Sequence, residues 1–130
     1  IPYKDMSAAL RSLVHALESG RTDYLETAAR EAGLRRAEAL LGSARPAKDE
    51  TAEAKRLLED AAAWAARGRV ASKRLVVSNA GPALSALERG DRTLAARHAG
   101  WAADALAERR DELLRIGLSV RRRLLNALQV

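Results

Sequence analysis

Histidine is the side chain best suited to moving a proton near neutral pH, and this sequence holds two, His15 and His98. A catalytic imidazole needs a nucleophile or an orienting partner, and a metal-binding one needs further ligands at fixed spacing. Neither requirement is met. Cysteine is absent, which removes thiolate nucleophiles, disulfides and Cys-type zinc sites. The Glu-x-x-His spacing of a di-metal helical bundle occurs nowhere in the chain. Nor does a Gly-rich phosphate loop or a G-x-S-x-G nucleophile turn. His98 falls one helical turn from both Leu94 and Trp101, so it reads as a packed residue that spends one ring nitrogen on a hydrogen bond. His15, between Val14 and Ala16, reads as a boundary residue. Carboxylates lie four residues from cations, as in Lys55/Glu59, Arg56/Asp60 and Asp111/Arg115, the pattern of a solvated helix face. These observations point away from catalysis and imply no cofactor and no metal.

Charge says more. Lys and Arg number 23 against 17 acids, for a net charge of +6 and a pI near 10.5. Residues 1–42 are neutral, with six cations and six acids, whereas residues 67–97 hold seven cations and two acids. No acid lies between Asp60 and Glu88. Arg67, Arg69, Lys73 and Arg74 stand inside that gap, and Arg121, Arg122 and Arg123 follow near the C-terminus. If these groups shared a face they would make a phosphate-sized footprint for nucleic acid or another polyanion. Nothing in the sequence marks a base-reading helix, so such binding would be sequence-nonspecific. The competing reading is a set of surface arginines whose stems cover apolar neighbours.

The elements that must position these residues are helical. Apolar residues recur at Met6, Leu10, Leu13, Val14 and Leu17, with Asp5 as a cap and Gly20 as a stop. A second helix is expected from Asp23, through Leu25, Ala28, Ala29, Ala32 and Leu40, to Gly42, with Glu26/Arg30 and Glu31/Arg35 on its outer side. Residues 42–50 read as a linker before a helix carrying Ala54, Leu57, Leu58, Ala61, Trp64 and Ala65. The β-branched run at Leu75–Val77 has no strand to pair with, so that helix is expected to continue to about Ser78. Gly81-Pro82 predicts a kink or break near 78–82. A short helix then reaches Gly90, and Asp91 caps a last one whose stripe is Leu94, His98, Trp101 and Ala105. Continued through Leu113, Ile116, Val120, Leu124 and Ala127, it would be a long C-terminal helix.

Two segments echo each other: ALESG at 16–20 with ALERG at 86–90, and AAREAG at 28–33 with AARHAG at 95–100. The stretch ALERGDRTLAARHAGWAADAL resembles the turn and second helix of a tetratricopeptide repeat, which implies a helical hairpin used for protein binding or oligomerisation. The same stretch is similar to the HEPN helical domains, some of which are ribonucleases. That likeness implies that His98 assists attack by a ribose hydroxyl while Arg92 steadies the phosphate.

The expectation is thus an all-α antiparallel helical bundle of four to six helices with a long C-terminal helix, forming a single domain over residues 1–130. Its expected role is a non-enzymatic interaction or self-association module, with a protein partner or a second copy. Polyanion binding through Arg67, Arg69, Lys73, Arg74, Arg121, Arg122 and Arg123 is the second reading, and a HEPN-like ribonuclease the third. No run of apolar residues is long enough to span a membrane, and no signal peptide is visible. The cytoplasm is the expected location, and the opening Ile1-Pro2 suggests a chain cut from something longer.

Overall fold

A computed structural model describes residues 7–68 and 73–129. Four helices account for the regular structure of those residues: α1 (Ala8–Gly42), α2 (Lys48–Arg67), α3 (Lys73–Glu88) and α4 (Arg92–Leu128). The expected cap Asp5 and the first stripe residue, Met6, lie outside the described residues. Ser7 does the capping instead, its hydroxyl accepting the Leu10 N–H at 3.3 Å. The last helix is long as expected, its 37 residues making a rod of about 55 Å.

Three boundaries differ from the sequence reading, each for a local reason. No turn follows Gly20, and α1 runs unbroken for 35 residues. Its counterpart Gly90 ends α3 with φ +77°, and the Asp91 N–H then donates to the Ala86 carbonyl at 2.9 Å, a Schellman-type stop. Asp91 also accepts the Leu94 N–H at 3.1 Å and starts α4. After Gly20 the next hydroxyl, that of Thr22, donates back to the Glu18 carbonyl at 3.3 Å, and Asp23, the expected start of a new helix, lies inside α1. Continuing the helix keeps its backbone bonds, at the cost of about 1 kcal/mol for an internal glycine.

The second difference is that α2 stops at Arg67, where the Gly68 N–H donates to the Trp64 carbonyl at 3.1 Å. It does not extend to Ser78. The third is that α3 runs without interruption across residues 78–82 and holds Pro82 inside it. Proline deletes a single N–H there, and the space beside Gly81 is open. The Leu75–Val77 run is thus helical.

The contacts gather in two compact units. One is Thr27–Arg109, and the other joins Ile1–Glu26 with Arg110–Val130. Both α1 and α4 contribute a segment to each.

Within Thr27–Arg109 all four helices meet. The α1–α2 contacts run in opposite directions along the two helices: Arg30 with Asp60, Gly33 beside Leu57, Arg36 with Glu53. The α1–α4 contacts do the same, Arg35 with Asp104 and Glu38 over Gly100. The α1–α2 reversal is what the five-residue loop at 43–47 requires of the two helices it joins. The core cluster has sixteen buried members, of which ten are alanine. Leu34, Leu41, Leu58 and Leu106 are its largest aliphatic members. Alanine seams let helix axes approach closely, and Gly100 shows the limit, because a Cβ there would collide with the Glu38 carboxylate.

This closeness decides which face turns inward. In the part of α4 within this unit the buried residues are Ala95, Ala99, Gly100, Ala102, Ala103, Ala105 and Leu106. The larger Leu94, His98 and Trp101 sit beside that seam rather than in it, and Trp101 is 49% exposed. In α1 the buried residues are Thr27, Glu31, Leu34, Ala37 and Leu41, while Leu25, Ala29 and Ala32 are exposed. Glu31, expected on the outer side, is therefore on the inner one. In α2 the expected stripe faces inward, with Ala54, Leu58, Ala61, Trp64 and Ala65 all buried.

Candidate interaction surface

His98 is half-buried on α4. Its Nδ1 lies 3.1 Å from the Asn79 side-chain oxygen on α3, and its ring meets Trp101 edge to face at 5.1 Å. This is a packed histidine with one ring nitrogen engaged. Arg92, the residue paired with it by the HEPN likeness, is turned elsewhere. Its guanidinium donates to the carbonyls of Ser43 and Ala44 at 3.4 and 3.3 Å, tying the α1–α2 loop to the start of α4. His15 is exposed on α1, 3.5 Å from the Ser19 hydroxyl. Among the described residues no group of three or more His, Asp or Glu side chains could hold a metal ion.

Three α1 arginines, Arg30, Arg35 and Arg36, reach across to neighbouring helices, and Arg35 also meets Glu38 of its own helix at 3.6 Å. Arg35 bonds Asp104 at 2.6 Å, and that hydrogen bond raises its pKa above the ordinary guanidinium value. Arg36 bonds Glu53 at 2.6 Å through Nε and 3.2 Å through Nη2. The bond raises Arg36 and holds the Glu53 carboxyl below its usual range. Arg30 approaches Asp60 at 3.2 Å and lies over the Trp64 ring at 5.5 Å from its centre. These cations fasten the bundle and are taken.

The remaining candidate cations fall in both units. Arg67, at the end of α2, and Arg74, in the first turn of α3, are exposed in Thr27–Arg109. Arg69 lies outside the described residues; Lys73 opens α3, but its side chain is outside them too. Arg121, Arg122 and Arg123 are exposed on α4 within the other unit. Successive residues of a helix point about 100° apart, so these three fan around the helix and do not form one patch.

That second unit carries the feature which sequence reading missed. Among its described residues, Leu113 and Val120 are the buried apolar ones. With Gly117 and Leu124 half-buried, they form the α4 seam turned toward α1. One residue further on lies a second seam: Leu114, Leu118, Arg121, Leu125 and Leu128. Its spacing of four, three, four, three is the heptad pattern by which one helix receives another. Among the described residues nothing covers it: Leu114 is 48% exposed, Leu118 54%, Leu125 49% and Leu128 43%. Ile116, expected within the inner stripe, is exposed as well. Beside the second seam runs an open groove of about 560 Å³, walled by Leu17, Gly20 and Tyr24 of α1 and by Leu114, Gly117 and Leu118 of α4. A Cβ at Gly20 or Gly117 would meet no atom within 4 Å, so the glycines widen the groove. A shallower continuation passes Leu118, Arg121, Leu125 and Asn126.

The signal for this seam was present in the sequence as a leucine heptad offset by one from the stripe that was followed. Among the described residues no helix is long and apolar enough to cross a membrane. Comparison of the chain with protein families, curated proteins and solved structures finds no match.

Proposed function

We propose that the chain is a non-enzymatic helical interaction module whose Leu114–Leu128 seam receives an amphipathic helix of another molecule. The supporting observation is the uncovered heptad stripe. Four leucines about half exposed at coiled-coil spacing make a hydrophobic surface with a shape, and such surfaces mark association sites. The groove beside Gly20 and Gly117 gives an incoming helix room to settle between two others. A two-helix unit with two buried aliphatic residues among those described has little core of its own, and a third helix would supply the missing layer. The occupied state of His98 and Arg92 favours binding over catalysis.

Polyanion binding is the weaker reading. An exposed leucine seam adds nothing to phosphate recognition, and the arginines nearest to it fan apart. The test is a titration of the chain with a four-heptad peptide carrying leucine at a and d and glutamine at the flanks. Saturable binding is expected, abolished by the paired substitution Leu118→Ser and Leu125→Ser. If neither this peptide nor versions of it with glutamate or lysine at the flanks bind the unaltered chain, the docking reading fails.

A further inference from the structure

Resting on that docking reading, the partner can be specified more closely by the charges around the seam. No acid follows Glu112, whereas Arg115, Arg121, Arg122 and Arg123 all do. On the heptad that places Leu114, Leu118, Arg121, Leu125 and Leu128 at a and d, the inner flank is Gly117 and Leu124, which face α1. The outer flank is Arg115 and Arg122, both exposed. Flanking charges decide which helices pair, and a lone polar residue among the a and d positions fixes their register. Arg121 is that lone residue, at the centre of the leucines. Covering it with an apolar side chain would strand a charge away from water, which is strongly unfavourable. The α1 wall of the groove, with Glu18 and Arg21, adds no net charge of its own.

We infer that the occupant is an acidic amphipathic helix of a partner protein. It has an apolar heptad stripe, one carboxylate within that stripe to meet Arg121, and carboxylates along the edge that faces Arg115 and Arg122. A second copy of this chain fits poorly through the same seam. Two-fold pairing of the stripe with itself would bring Arg121 toward Arg121 and put the Arg115–Arg122 edges together, and like charges so placed oppose association. A nucleic acid would satisfy the arginines and leave the leucines bare.

The experiment uses two designed four-heptad peptides with identical leucine stripes. One has glutamate at the flanks and at one central a position, and the other has lysine at the same places. Anisotropy titrations against the full chain should show the glutamate peptide binding at least about tenfold tighter, with the gap narrowing as salt is raised from about 50 to about 300 mM. The Leu118→Ser/Leu125→Ser chain, checked for unchanged helicity, should lose the glutamate peptide. The Arg121→Gln/Arg122→Gln chain should retain binding but lose most of the preference. Equal affinity for both peptides overturns the acidic-partner inference and leaves docking intact. Failure of these two and of the glutamine-flanked peptide removes docking as well. Sedimentation equilibrium gives a third outcome: a dimer that L118S/L125S dissociates makes a second copy the occupant and overturns the inference. So does a single-stranded oligonucleotide that binds more tightly than the glutamate peptide and is indifferent to L118S/L125S.

Discussion

Gly20 and Gly90 end the matching pentads ALESG and ALERG, and the fold uses them in opposite ways. Gly20 is inside α1 with no atom within 4 Å of where a Cβ would stand. Gly90 has φ +77°, a conformation that L side chains rarely adopt. The same substitution to alanine should therefore act with opposite sign. Gly20→Ala removes the backbone freedom an internal glycine carries and should stabilise the helix by about 0.5–1 kcal/mol. Gly90→Ala forces a Cβ into left-handed backbone and should cost about 1–2 kcal/mol. Gly20 is in the Ile1–Glu26 and Arg110–Val130 unit, so its effect is read by amide hydrogen exchange over residues 17–25. Those amides should exchange roughly two- to fivefold more slowly, since a tenfold change is about 1.4 kcal/mol. Gly90 lies in Thr27–Arg109, where a lowered urea midpoint at constant slope reports the loss. If both substitutions shift stability in the same direction, the claim that one glycine lies within a helix and the other stops one is wrong.

Other perturbations test the bundle directly. Leu58 is fully buried on α2, so Leu58→Ala should cost about 2–5 kcal/mol in urea unfolding; a cost under about 1 kcal/mol would place that residue outside the core. Glu53 is held below its ordinary pKa chiefly by the hydrogen bond from Arg36. A depressed folded-state value means this contribution is complete above the ordinary carboxylate pKa of about 4.3 and fades as pH falls through the lowered one. Glu53→Gln should accordingly flatten the acid limb of the urea midpoint against pH, and an unaltered limb would show that the pair adds nothing.

Helical class, the loop at 43–47, the α2 stripe and the Gly90–Asp91 turn were legible because each has a local cause written in a few residues. The Gly-Asp pair supplies both a left-handed stop and a cap. Gly20 was misread because the capping signal at Asp23 was given more weight than the backbone bonds that an unbroken helix keeps. At Pro82 no break occurs, because a proline costs one backbone hydrogen bond and α3 continues past it. The faces of α1 and α4 were harder to read. Hydrophobic periodicity weights Leu and Trp above Ala, but in closely spaced helices the small residues go to the axis and the large ones to its edges. Ala95, Ala99 and Ala102 therefore displaced Leu94, His98 and Trp101 from the seam. The exposed leucine heptad of α4 was hidden by success: one stripe of that helix had already been given a role, and a second stripe one residue away looked like its margin.

An alanine-lined interior has a thermal consequence. Burying a methyl group freezes no rotamers and removes little apolar area from water, so both the entropic opposition to folding and the hydration gain are small at those ten positions. The heat-capacity increment of unfolding scales with apolar exposure, and it should be low for a chain of this length. The free-energy curve against temperature is then shallow: modest at its maximum, slow to fall on either side, and less prone to loss in the cold than that of a leucine-filled bundle.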